Sequence, residues 1–294
     1  MREFKDKVAV ITGAASGIGR ALAERFSAEG MKLVLADVDE KTLGDTAEAL
    51  RQAGTSVQVV PTDVAQATAV EALAARTLET FGAAHVICNN AGVVVSGFSW
   101  ERSLADWEWI VGVNLWGVIH GIRAFMPILL RQGEGHIVNT ASVAGVMTGT
   151  GMGPYCATKH AVVALSECLH HELALIQGGR SAGGGGEQSG GRIGVSVLCP
   201  AWVKTQIADS ERNRPEHLRE PPRPAAPQEQ KLTQAVRAAL AAGISPAEVA
   251  EHTLRAIQEE RFYIFTHPAI KGAFRRRFDA LLAEQNPTFD PKFG

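Results

Sequence analysis

Thr12-Gly13-Ala14-Ala15-Ser16-Gly17-Ile18-Gly19 follows a short apolar run, residues 8–11, and opens a segment whose apolar residues recur every three or four. A strand, a glycine turn and a helix in that order suit a backbone that must hold a pyrophosphate. Glycine is needed where φ is positive, where the chain approaches the phosphates and where the new helix packs on the sheet, while the helix amino end faces the negative charge. A lone glycine triplet is a weak signal, because a purely structural turn uses the same residues. Here Asp37 closes the next apolar run, 18 residues after Gly19, where a carboxylate can bind the two hydroxyls of an adenosine ribose. The stretch predicts a dinucleotide site in which Gly13, Ser16, Gly17, Ile18, Gly19 and Asp37 meet the ligand.

Working outward, apolar runs at 8–11, 33–36, 57–60, 86–88, 136–139, 193–198 and 262–265 read as seven strands. Segments of helical period lie between the first six, at about 17–29, 40–53, 66–81, 103–131 and 154–177. Each connection is long enough to cross over, so the expected fold is α/β: a Rossmann-type, doubly wound parallel sheet of seven strands with helices on both faces. Pro127 should bend the fourth helix or end it early. One sheet with insertions accounts for the whole length, 1–294, as a single Rossmann-type domain.

Two segments depart from the pattern. GGRSAGGGGEQSGG, residues 178–191, holds eight of the 30 glycines and too little apolar surface to fix a shape, which predicts a flexible insertion at the end of the sheet away from the ligand. Residues 206–245 contain RNRPEHLREPPRPAAP and then a short helix at about 229–242. A disordered linker is the plain alternative, but so long a loop inside a compact fold is more often a substrate-binding lid.

Composition excludes other classes. The net charge is −2, which offers no footprint for nucleic acid. Cys88, Cys156, Cys168 and Cys199 lack zinc or disulfide spacing. The amino end shows no leader and no membrane-spanning run is evident, so a cytoplasmic protein without a membrane partner is expected. His170-His171-Glu172 and Arg275-Arg276-Arg277 are read as surface features rather than metal ligands or a lipid contact.

The glycine spacing, Gly-x-x-x-Gly-x-Gly, resembles that of the short-chain dehydrogenase/reductase family, and other motifs carry the resemblance along nearly the whole chain. Asp63-Val64 is similar to the pair that contacts adenine, and Asn89-Asn90-Ala91-Gly92 to the motif ending the fourth strand, with Asn90, Ala91 and Gly92 beside the cofactor. Asn114, Ser142, Tyr155 and Lys159 match the catalytic tetrad, and Tyr155 and Lys159 also meet the cofactor. Pro200, Val203 and Thr205 lie where the family lines the nicotinamide, although Pro-Gly is replaced by Pro200-Ala201, which requires a negative φ at the alanine. The resemblance implies that Lys159 holds the nicotinamide ribose, that Ser142 bonds the substrate oxygen and that Asn114 anchors a water in a proton relay. It further implies a homodimer or homotetramer.

Independently of the family, Lys159 at i+4 from Tyr155 falls on the same helical face. A cation there favours the phenolate of a residue that is otherwise a poor base, with a pKa of about 10. Asp37 would repel a 2′-phosphate, so NAD is expected rather than NADP. The segments leaving the carboxyl ends of the strands contribute Val94, Val95, Phe98, Val143, Met147, Met152, Trp202 and Ile207, with Lys204, Arg212 and Arg214 as cations of the last one. Val94, Ser142, Met147, Tyr155 and Trp202 are the expected substrate contacts, in a pocket suited to a hydrophobic or aromatic secondary alcohol or its ketone. Two alternatives stay open: an NADPH-dependent ketone or ketoacyl reductase with the same tetrad, and a non-catalytic dinucleotide-binding protein.

Overall fold

The computed structural model describes residues 1–181, 192–221 and 227–288. Seven strands form one sheet in the order β3-β2-β1-β4-β5-β6-β7: β1 (Val8–Thr12), β2 (Lys32–Asp37), β3 (Val57–Pro61), β4 (Val86–Asn89), β5 (Gly135–Thr140), β6 (Ile193–Cys199) and β7 (Tyr263–Phe265). Every neighbouring pair is parallel. The strands read as apolar runs because most are covered on both sides, and the order reverses direction between β1 and β4. That switch point opens a crevice beyond the carboxyl ends of the strands.

Helices α1 (Gly17–Ala28), α2 (Glu40–Gln52) and α8 (Pro246–Gln258) bury Leu22, Phe26, Leu43, Val249 and Leu254 on one face. On the other, α3 (Ala67–Phe81), α5 (Gly117–Gln132) and α6 (Gly153–Ser181) bury Leu73, Phe125, Leu129 and Leu169. The remaining helices, α4 (Leu104–Val111), α7 (Pro227–Ala242) and α9 (Lys271–Leu282), lie around the carboxyl end of the sheet.

Three sequence expectations are corrected. Residues 103–131 are not one uniform helix, since a π turn, Gly112–Trp116, separates α4 from α5. The extra residue in that turn points Asn114 fully inward. The chain also does not stop near Pro127: α5 continues to Gln132 because Ile128 and Leu129 dock on the sheet and Gly133, in the left-handed region, supplies the end. Finally, residues 178–181 of the supposed loop close α6, whose end is held by Gln177. Its amide donates to the Ile193 carbonyl at 3.0 Å and accepts from the Ile193 N–H at 3.1 Å. The rest of that insertion, 182–191, and residues 222–226 of the expected lid lie outside the described residues. The rod Leu104–Gln132 is long and apolar enough to cross a bilayer, but here it lays Phe125, Ile128 and Leu129 on the sheet.

Candidate active site

The phosphate turn is built by close backbone approach. Gly13 and Gly17 have φ of +68° and +54°, and a Cβ on Gly19 would lie 2.1 Å from the Gly13 carbonyl oxygen, so α1 can seat on the turn only with glycine there. Asn90 stitches this turn to the end of β4, its N–H donating to Thr12 Oγ1 at 2.9 Å and its side-chain amide to the Thr12 carbonyl at 2.9 Å. Ser16 precedes α1 without capping it through its side chain, and no acidic residue occupies the first turn. The partial positive charge of the helix end therefore faces the crevice uncompensated.

Asp37 ends β2 with its carboxylate gripped by backbone donors, Ala15 N–H at 3.0 Å and Asp39 N–H at 3.1 Å. Burial pushes its pKa up and the two N–H bonds pull it back. Asp63 bonds its own turn, at Ala65 N–H, 3.0 Å. The next residue, Val64, lies so near the start of α5 that a Cβ on Gly117 would sit 2.8 Å from Val64 Cγ2.

Across the switch point, Asn114 spends its amide on the loop after β4. Oδ1 accepts from the Val93 N–H at 2.8 Å, and Nδ2 donates to the Val93 carbonyl at 2.9 Å and to Thr158 Oγ1 at 3.3 Å. Lys159, buried, donates to the Thr140 carbonyl at 2.8 Å and sits 5.6 Å from the centre of the Tyr155 ring. Ser142 caps the short turn after β5, accepting from Ala144 N–H at 3.1 Å, and its own hydroxyl donates to the Pro200 carbonyl at 3.2 Å. Burial pushes the Tyr155 phenol up to about 12, with the nearby Ser142 hydroxyl pulling it back. The Lys159 ammonium is pushed down to about 8 by the same cause. In the ligand-free protein burial is the largest cause of both shifts.

One cleft of about 790 Å³ gathers the predicted cofactor, catalytic and substrate residues except Gly19 and Asn114, which stand behind its wall. Of the other side chains expected along its segments, Val95, Phe98 and Lys204 do not line it; Val95 packs with Trp109 and Ile110, and Phe98 stacks on Trp100. Ala201 has no positive φ, so the missing glycine after Pro200 leaves the backbone unstrained.

The expected lid is an excursion closed at its base. Val203 pairs with Ile244, and Ile244 N–H donates to the Trp202 carbonyl at 3.1 Å. Its first part, a strap over 206–221, is anchored rather than free. Arg214, 6% exposed, pairs with the buried Asp106 of α4 and lies 4.7 Å over the Trp109 ring. Leu218 joins Val93, Val95, Trp109 and Ile110 in a small apolar cluster. Arg214 is consequently not a ligand group of the cleft.

Arg212, named from the sequence as a cation of this segment, does line the cleft, but sequence reasoning missed a second set of lining residues: His217 and Leu218 on the strap, Val236 and Leu240 on α7, and His267, Ala269 and Ile270 before α9. The spacing 232, 236, 240 is a helical stripe that marks the apolar face of α7. No local signal marks Ile270, which meets Met147 and Val143 only through the tertiary fold.

Residues 7–216 match the family model described as short chain dehydrogenase. The chain belongs to the short-chain dehydrogenase/reductase family. A member from Burkholderia phymatum, solved in complex with NAD, is 50% identical over 99% of both chains with a TM-score of 0.91. A protein of Lactiplantibacillus plantarum, described as CLA biosynthesis dehydrogenase/reductase, is 31% identical over 98% of this chain and 97% of its own. An alcohol dehydrogenase from Thermococcus sibiricus, complexed with 5-hydroxy-NADP, is 27% identical over 89% of this chain and 96% of its own, with a TM-score of 0.68. The chain is thus similar to oxidoreductases seen with either dinucleotide.

Proposed function

We propose that this family member interconverts a hydrophobic or aromatic secondary alcohol and its ketone with NAD, using Tyr155 as general acid/base. The observation that carries the reading is the convergence of Ser142, Tyr155 and Lys159 between the glycine turn and a chamber walled by Met147, Trp202, Val236, Leu240 and Ile270. The residues fit a dinucleotide. Gly13, Gly17 and Gly19 leave room for a pyrophosphate at the end of α1, and Asp37 presents a fixed carboxylate where a ribose diol, but not a 2′-phosphate, is welcome.

When bound, the dinucleotide supplies the hydride acceptor and, oxidised, a positive charge near the phenol. Tyr155 takes the hydroxyl proton of an alcohol, or returns it to a ketone oxygen, while Ser142 holds that oxygen. Lys159, pinned to Thr140, sets a charge 5.6 Å from the centre of the phenol ring and would hold the nicotinamide ribose of a bound dinucleotide. Asn114 acts as a positioning residue, since its amide fixes Val93 beside Gly92. The apolar chamber excludes water and selects for hydrophobic bulk.

The test is a panel of secondary alcohols and ketones assayed by absorbance of reduced nicotinamide with NAD and NADP in parallel. Turnover of apolar alcohols with NAD supports the reading. Preference for NADPH and acyl-carrier ketones would replace it with the reductase, and binding without turnover of any substrate would leave a non-catalytic dinucleotide protein. The same reading includes a cytoplasmic homo-oligomer built through the helices near Asn114 and Tyr155, where Trp116 stands 49% exposed. Light scattering of the purified chain tests the assembly.

A further inference from the structure

Among the charged side chains along the cleft, Arg212 has no part in the chemistry above. The strap that carries it starts directly on the phosphate turn, for a Cβ on Gly17 would lie 3.1 Å from Thr205 Cγ2. Arg212 then folds back on that start. Its Nη1 donates to the Gln206 carbonyl at 3.1 Å and to the Asp209 carbonyl at 2.9 Å, which brings the guanidinium to the residue following Thr205. The same side chain lines the cleft.

The strap is held there from the far side. Arg214, two residues on, is locked to Asp106 and Trp109, and Ser210 Oγ accepts from the Val94 N–H at 3.3 Å. An exposed arginine on a fixed strap differs from one on a free loop, because little ordering remains to oppose a contact.

The cleft also has a charge to balance. A pyrophosphate carries two negative charges. Lys159 is the other lysine or arginine among the described lining residues, and it is already engaged with Thr140. The nearby acids would repel phosphate. Asp37 and Asp39 flank the ribose end, and Asp209 is turned to Arg237 at 2.6 Å. Asp39 is held below the usual carboxylate range chiefly by its bonds to Thr42, with the Arg212 charge adding to that, which places the guanidinium within electrostatic reach of the adenosine side.

We propose that Arg212 is a further cofactor-binding residue, whose guanidinium closes over the pyrophosphate of a bound dinucleotide from the strap, opposite the amino end of α1. This rests on the dinucleotide reading of the cleft. Arginine suits the task because its planar fork can hold phosphate oxygens in pairs.

The test is a fluorescence titration of the full chain with NADH at several salt concentrations, for the wild type, Arg212→Ala and Arg212→Lys, with thermal melts of each ligand-free protein. Arg212→Ala is expected to raise the NADH Kd about tenfold, as loss of a hydrogen bond to a charged group does. Its Kd should also respond less to salt, since one charged contact is gone. Arg212→Lys should recover part of the affinity, and the melts should coincide because the side chain is exposed. An unchanged Kd in Arg212→Ala, or a salt response equal to that of the wild type, would overturn the assignment. A wild type that binds no NADH would instead remove the dinucleotide reading, and this proposal with it.

Discussion

On the sheet side of the cleft, each ligand-facing group is fixed by neighbours in the same turn or the adjacent strand: Gly19 against Gly13, Asp37 under Ala15, Asn90 on Thr12, Lys159 on Thr140. On the opposite side, the 203–244 excursion reaches the body through the bridge at its base, the Asp106 and Arg214 pair and apolar contacts made by Leu218 and Leu232. The first wall is made of backbone geometry and tolerates few residue types. The second is made of side chains whose partners lie about a hundred residues away, so its shape can change while the first stays as it is. Under the proposed function, the chemistry belongs to the first wall, while the second adds Arg212 to the cofactor and the α7 side chains Val236 and Leu240 to the substrate chamber.

The division can be broken most forcefully at Arg214. Arg214→Ala leaves the buried Asp106 carboxylate with only the longer ion pair to Arg102 at 3.8 Å and the Ser103 N–H at 3.2 Å, which should destabilise the fold by about 3 kcal/mol. Denaturant unfolding measures this, and a neutral substitution would show that the strap is not anchored as described. Tyr155→Phe probes the other wall: turnover should fall at least about 100-fold while NADH binding is unchanged, and a fully active variant would remove the proposed base. Asp37→Ala should lower efficiency with NAD by about tenfold, the scale of a lost charged hydrogen bond, and relax discrimination against NADP. Equal loss with both cofactors would place the ribose elsewhere.

The smallest effect concerns stability. Lys159 has its pKa lowered to about 8 from an unfolded value of about 10.4, so between those values the unfolded chain binds the extra proton and stability rises with pH. Below about 8 the buried ammonium imposes its full cost. Lys159→Met should therefore raise the melting temperature of the ligand-free protein by a few degrees at pH 7, with the gain shrinking as pH climbs from about 8 to about 10.4. A lower melting temperature would mean that the bond to Thr140 outweighs desolvation.

Which parts were legible in the sequence follows the same division. The glycine turn, Asp37 and the Tyr155 and Lys159 pair could be read because each depends on spacing inside one element, which sequence displays directly. The seven strands, their parallel pairing and the helices on both faces followed from apolar runs and crossover lengths, while the order of the strands came from the fold. The π turn at Asn114 was hidden, since one extra residue in a helix leaves no compositional mark. The strap was equally hidden: Arg214 looks like any surface cation until Asp106 and Trp109 are brought to it. Arg212 and Arg214, two residues apart in a Pro-rich stretch, have opposite surroundings, and only the fold separates the exposed guanidinium from the buried one.

The helix that carries Tyr155 is fastened to β5 twice on one face. Lys159 reaches Thr140, and two turns later Ser166 accepts from Asn139 at 3.0 Å, which itself accepts from Asn89 at 2.9 Å. A slip of one residue along the helix would displace the phenol by about 1.5 Å and break both fastenings together. The phenol oxygen proposed as the acid/base is thus gauged from the middle of the sheet, as a tool is set from a machine bed and not from the workpiece. Side chains lining the chamber can be exchanged for new substrates without resetting that gauge, which makes this a scaffold on which specificity can be re-engineered while the chemistry keeps its alignment.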